Sequence, residues 1–122
     1  MILHPKDALY NYKCKVLRVI DGDTVEVDVD LGFSTWKKVT LRLDFIDAPE
    51  IRTKDLEEKA KGIEATELLT NLLLDNNPDA VIYIQSNSVD DFGRSIAKIF
   101  TQEGDNVNSI LLESGFAKEW KK

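Results

Sequence analysis

Thr24-Val25-Glu26-Val27-Asp28-Val29-Asp30-Leu31 alternates Val25, Val27 and Val29 with Glu26, Asp28 and Asp30. A period of two is a strand with one face buried and one face wet. Before it, Asp21-Gly22-Asp23 is a turn signal. Before that turn, residues 12–20 set Tyr12, Cys14 and Val16 against Lys13 and Lys15, which reads as a strand of the same kind. After the quoted stretch, residues 32–38 read as a loop, and residues 39–46 as a third strand with Val39, Leu41, Leu43 and Phe45 on one side.

Further along, the period changes. Between Asp55 and Asp75 the residues Leu56, Ala60, Ile63, Leu68, Leu69, Leu72 and Leu73 recur at helical spacing, and Pro78 ends the run. Residues 81–85 and 95–100 are two more strand candidates. Asn106 can cap a short closing helix through Val107, Ile110, Leu111 and Leu112, which Gly115 terminates. The order is three strands, a helix, two strands and a helix. The expectation is a mainly β, α+β fold: a small five-stranded barrel of the oligonucleotide/oligosaccharide-binding type, with a long helix between strands three and four. An open five-stranded sheet with helices on one face is the alternative from pattern alone. Residues 1–11 are expected to be a flexible arm, in which His4 does no chemistry, and residues 12–122 one domain.

Bulk properties narrow the function classes. With 122 residues the chain has the size of one ordinary domain, and 43% hydrophobic with 31% charged residues is a globular composition. The lone Cys14 cannot form an internal disulfide and sits on the apolar side of its strand. No apolar run is long enough to span a bilayer, and the start carries no basic-then-apolar leader. The location expected by default is therefore the cytoplasm, or the exterior if a signal has been removed. The net charge of −6 argues against indiscriminate polyanion binding. Residues 21–50 carry eight acids against three bases, which suits a hard cation with oxygen ligands or simply a solvated acidic surface.

Five charged residues stand where phosphodiester chemistry needs them. Such chemistry requires a carboxylate to activate water, a cation or arginines to stabilise phosphoryl charge, and forked donors to hold the phosphate. If strands two and three pair as a hairpin, their outer ends bring Asp23 toward Asp47, so that the two share a cation. Glu50 lies just past Pro49 and reaches the same water shell. Arg42 has parity opposite to Leu41 and Leu43. Arg94 leaves the turn Asp90-Asp91-Phe92-Gly93. Each also has a structural explanation: a turn, a loop decoration or a cross-strand partner.

Taken together, these segments resemble the staphylococcal nuclease (thermonuclease) family. Val19-Ile20-Asp21-Gly22-Asp23-Thr24-Val25, then Leu41-Arg42-Leu43 with Ile46-Asp47-Ala48-Pro49-Glu50, then Asp90-Asp91-Phe92-Gly93-Arg94 with Ile96-Ala97 look like its three signatures in order. Gly62-Ile63-Glu64-Ala65 is similar to the start of its long helix, and residues 108–117 to its closing helix. The resemblance implies that Asp23, Asp47 and the carbonyl of Ala48 bind Ca²⁺, that Glu50 is the general base, and that Arg42 and Arg94 bind the phosphate and its transition state. It implies a monomeric, calcium-dependent nuclease acting on DNA or RNA, preferring single strands and leaving 3′-phosphates. Ala48 stands where the family has threonine, and Phe92 where it often has tyrosine. Asp91 stands where the family often has a base, and the family's substrate-stacking C-terminal tyrosines have no counterpart. The alternative is a catalytically weak or silent nucleic-acid-binding or protein-interaction module.

Overall fold

A computed structural model describes residues 4–120. In chain order its elements are β1 (Asn11–Asp21), β2 (Thr24–Asp30), β3 (Trp36–Leu43), β4 (Ile46–Asp47), α1 (Leu56–Thr70), β5 (Val81–Val89), β6 (Ser95–Phe100), α2 (Val107–Glu113) and β7 (Lys118–Glu119). The five longer strands close a barrel in the spatial order β1-β2-β3-β6-β5, with β5 returning to pair antiparallel with β1. That closure rules out the open sheet. The β3–β6 contact is parallel, and the other pairings in the barrel are antiparallel.

Alternation fills the interior. Cys14 and Val16 from β1, Val25, Val27 and Val29 from β2, and Leu41 and Leu43 from β3 are all buried. They meet Ile82, Ile84, Ala97 and Ile99 from β5 and β6. The helices add apolar stripes from outside: α1 sets down Ala65 and Leu69, and α2 sets down Val107 and Leu111, all at zero exposure. The start of α1 is fixed by Asp55, whose carboxylate accepts the N–H groups of Glu57 (3.0 Å) and Glu58 (3.2 Å). The helix runs on through a π-type turn at Asn71–Asp75. Among the described residues no helix is long and apolar enough to cross a membrane.

The boundaries move where tertiary pairing overrides pattern. Trp36 is not in the loop; it opens β3 opposite Asp30, because a tight connection is closed by Leu31 N–H to the Thr35 carbonyl at 2.8 Å. The third strand ends at Leu43 rather than at residue 46. Phe45 turns to φ +53°, its N–H donates to Asp44 Oδ1 at 2.9 Å, and the chain leaves the barrel. Ile46 and Asp47 form a separate short ladder with Glu119 and Lys118, so Asp47 does not close the third strand. Residues 5–8 of the expected arm form a 3₁₀ turn, with His4 Nδ1 accepting the Lys6 N–H at 3.1 Å; residues 1–3 lie outside the described residues.

Candidate functional site

The β2–β3 register sets Thr24 opposite Arg42, so the Asp21–Asp23 turn lies beside the exit of β3. Asp23 is only 8% exposed. Its Oδ1 accepts the Thr24 hydroxyl at 3.0 Å and its Oδ2 accepts the Ala48 N–H at 2.9 Å. One carboxylate thus ties the β1–β2 turn to the loop after β4. Gly22 permits that approach: a Cβ there would stand 2.6 Å from the Ala65 Cβ and 2.9 Å from the Ala48 Cβ.

Arg42 is buried at 5% exposure between two buried leucines. Its parity points it away from the barrel interior, and the β3–β4 turn wraps the guanidinium. Nη1 donates to the carbonyls of Leu43 (2.8 Å) and Ile46 (2.9 Å). Nη2 meets Asp47 Oδ1 at 3.3 Å and Asp23 Oδ2 at 3.5 Å. The Trp120 ring lies 4.7 Å from Cζ. Asp47 is part-exposed and also has the Lys118 ammonium 3.9 Å from its Oδ2.

Glu50 is exposed on the same rim, and its backbone N–H donates to Glu58 Oε1 at 3.3 Å. Helix α1 presses against it. A Cβ on Gly62 would sit 2.7 Å from the Pro49 carbonyl oxygen and 2.9 Å from that of Glu50. Partial desolvation of its carboxyl, with the fields of Asp21, Asp23, Asp47 and Glu58, pushes Glu50 above the ordinary glutamate range. Asp21 is raised too, by burial and then by Asp23, against the lowering fields of Arg52 and Arg94. An open cleft of about 400 Å³ adjoins Glu50, between the 47–50 loop, the start of α1 and residues 115–118.

Arg94 is built differently. Asp90 closes the β5–β6 turn by accepting the N–H groups of Phe92 and Arg94 on Oδ1, both at 2.9 Å. Its Oδ2 accepts Arg94 Nε at 2.7 Å. Slight desolvation opposes ionisation of Asp90, but those two N–H groups and the guanidinium hold its carboxyl below the usual aspartate range. The parallel register of Ser95 with Leu41 brings Arg94 to the Arg42 end of the barrel, where its field reaches Asp21.

The structure therefore bonds together Asp23, Arg42, Asp47 and Ala48, sets Glu50 in their field, and brings Arg94 alongside through Asp21. Sequence reasoning missed four contributors. Asp21 was visible only as part of a turn, and Asp90 only as loop acid. Asn108 has zero exposure; its Oδ1 accepts the Ile99 N–H at 3.0 Å, and its Nδ2 donates to the Ala97 (2.9 Å) and Asp44 (3.1 Å) carbonyls. It staples the β3–β4 turn to β6, and a buried polar residue inside the α2 stripe was its one signal. Trp120 carried none.

The chemistry of the donors suits a hard cation held loosely. Asp23 and Asp47 converge on one guanidinium nitrogen, and carboxylate oxygen is the ligand class of calcium and magnesium. Asp21 and Glu50 are raised first by desolvation, and the neighbouring carboxylates add to that rise. Two carboxylates are a sparse protein shell, and among the described residues no cluster of three or more His, Cys, Asp or Glu side chains has metal-binding geometry.

A sequence model described as Staphylococcal nuclease homologue matches residues 40–122. That span holds Arg42, Asp47, Glu50 and Arg94. The chain is 32% identical over 109 residues to an uncharacterized protein of Bacillus anthracis, covering 89% of this chain and 48% of that one. It is 32% identical over 103 residues to an uncharacterized endonuclease of Escherichia coli O157:H7, covering 84% and 58%. It is 30% identical over 104 residues to the thermonuclease of Staphylococcus hyicus, covering 85% and 57%. The chain thus spans about half the length of these curated relatives.

Proposed function

Because the chain belongs to the staphylococcal nuclease homologues, we propose that it hydrolyses phosphodiester bonds of DNA or RNA, with Arg42, Glu50 and Arg94 as catalytic residues. The observation that carries this reading is the fixed Arg42 guanidinium, shared between Asp23 and Asp47 on the rim where Glu50 has a raised carboxyl pKa. Asp23, Asp47 and the Ala48 carbonyl would hold Ca²⁺, which supplies Lewis-acid stabilisation of phosphoryl charge.

Glu50 takes a proton from a water whose oxygen forms a bond to phosphorus. The bond from phosphorus to the 5′-oxygen breaks, that oxygen takes a proton from solvent water, and the products are a 3′-phosphate and a 5′-hydroxyl. Raised basicity suits Glu50 to this task, since the base must be ionised and still accept a proton near neutrality. Arg42 and Arg94 offer forked donors to the non-bridging oxygens as charge grows there. The carbonyls of the turn hold Arg42 Nη1 in place, and Nη2 exchanges its contacts with Asp47 and Asp23 for the phosphate oxygen. An open rim suits single strands or frayed ends, and the reading is of a monomer.

A catalytically silent nucleic-acid-binding or protein-interaction module is the second reading. The observation in its favour is the cleft beside Glu50, whose lining carries Asp47, Asp55, Glu57 and Glu58 beside Glu50 in a chain of net charge −6. The two readings separate on cleavage of a short single-stranded DNA with calcium, with magnesium and with chelator. Hydrolysis that needs calcium and falls about a hundredfold or more in Glu50→Gln supports the nuclease. No cleavage by wild type under any cation refutes it, and oligonucleotide binding at low salt would then support the module.

A further inference from the structure

We propose that Trp120 is the positioning residue for Arg42: its indole lies over the guanidinium and holds that group in the plane in which it meets the scissile phosphate. The inference rests on the nuclease reading for its kinetic consequence, though not for its geometry.

Three observations carry it. First, the Trp120 ring centroid is 4.7 Å from Arg42 Cζ, inside the range in which a cation is drawn to an aromatic face. The contact is desolvated on the arginine side, whose side chain is 6% exposed. Second, one turn holds both partners. Arg42 Nη1 donates to the Leu43 and Ile46 carbonyls, while the backbone N–H of Trp120 donates to the carbonyl of Phe45 between them at 2.8 Å. The carbonyls and the carboxylates of Asp47 and Asp23 hold the nitrogens of the guanidinium, and the indole covers its face. Third, Trp120 is outside the buried apolar cluster among the described residues. It follows β7, whose Lys118 and Glu119 pair with Asp47 and Ile46. That short ladder has no part in the barrel, and it carries the indole to the arginine.

The test uses the full chain with Trp120→Leu, which keeps apolar cover and loses the π face, and Trp120→Phe, which keeps a π face. In Trp120→Leu, kcat for a short single-stranded DNA should fall about tenfold with KM within about twofold, the scale of one desolvated cation–π contact acting in the transition state. Trp120→Phe should recover most of the loss. Wild-type kcat in Trp120→Leu, or equal loss in both variants, overturns the proposal. A second readout needs no activity. The Arg42 Hε proton resonance should be displaced upfield by the indole ring current in wild type, return toward its random-coil position in Trp120→Leu and shift less in Trp120→Phe. A random-coil position in wild type overturns the proposal even where Trp120→Leu does not fold. If wild type fails to cleave, the nuclease reading falls, and the resonance alone decides the placement of Trp120.

Discussion

The two arginines of the site belong to regions of opposite construction. Arg42 is buried in a strand, with two carbonyls, two carboxylates and an indole around it. Arg94 leaves a turn whose Asp91, Phe92 and Gly93 are exposed, and its bond to Asp90 lies within that turn. Its side chain is 31% exposed and stacks 5.5 Å from the ring of Phe92, which is itself in solvent. The same functional group is buried and bound across several elements at one place, and part-exposed and bound within a single turn at the other. Arg42 is oriented before substrate arrives and supports the fold that orients it. Arg94, bonded within one short turn, supports little else, and on the proposed reading it can follow a phosphate.

Substitution breaks that comparison most sharply at Arg42. Arg42→Ala removes the partner of Asp23 and Asp47 and leaves carbonyls facing a void. Stability should fall by about 3 kcal/mol, the low end for a broken buried pair because Asp47 is partly solvated. The rate should fall about a hundred- to thousandfold. Urea unfolding and single-turnover cleavage measure the two losses separately. Arg94→Ala should show a comparable rate loss with stability within about 0.5 kcal/mol of wild type. Equal destabilisation by the two variants would erase the distinction.

Gly62→Ala tests the packing that holds Glu50. The new methyl group would meet the Pro49 and Glu50 carbonyl oxygens, so the loop must shift. Overpacking of this kind costs about 1–3 kcal/mol, and thermal melting reads it. An unchanged melting temperature would show that the loop yields freely. Asp90→Asn sharpens the comparison at the exposed arginine. Losing one part-exposed ion pair should reduce kcat/KM by at most about fivefold. The depressed pKa of Asp90 contributes stability that is present above the ordinary aspartate range and lost as pH falls through the depressed value. Asn should flatten that acid limb in a pH series of melts.

The smallest effect on stability is expected at Glu50. Its folded pKa is raised, so ionisation costs the folded state, and the cost is relieved as pH falls from the folded value to the unfolded one. Glu50→Gln should therefore melt slightly higher than wild type at neutral pH, with the difference gone below the ordinary glutamate range. A lower melting temperature at neutral pH would mean that Glu50 supports the loop. The acid limb of cleavage should lie above the ordinary glutamate value.

Local pattern determined much of this protein. Alternation within residues 24–30 is a property of neighbours in sequence, and that segment is a strand, as is the candidate at 95–100. Asp55 and Asn106 cap helices through bonds to N–H groups two or three residues away, which a sequence displays directly. The β2–β3 hairpin that carries Asp23 toward Asp47 was legible for the same reason. What needed the tertiary structure was contact between distant residues. The turn at Asp44–Phe45 frees Ile46 and Asp47 from the third strand because Glu119 and Lys118 are there to pair with them. Asn108 holds that turn from another helix. Arg42 reads in sequence as a strand arginine pointing outward. It is buried where the β3–β4 turn wraps the guanidinium and Trp120, from the far end of the chain, lies over it. Strand parity decides which side a residue faces; only the rest of the chain decides whether that side meets water.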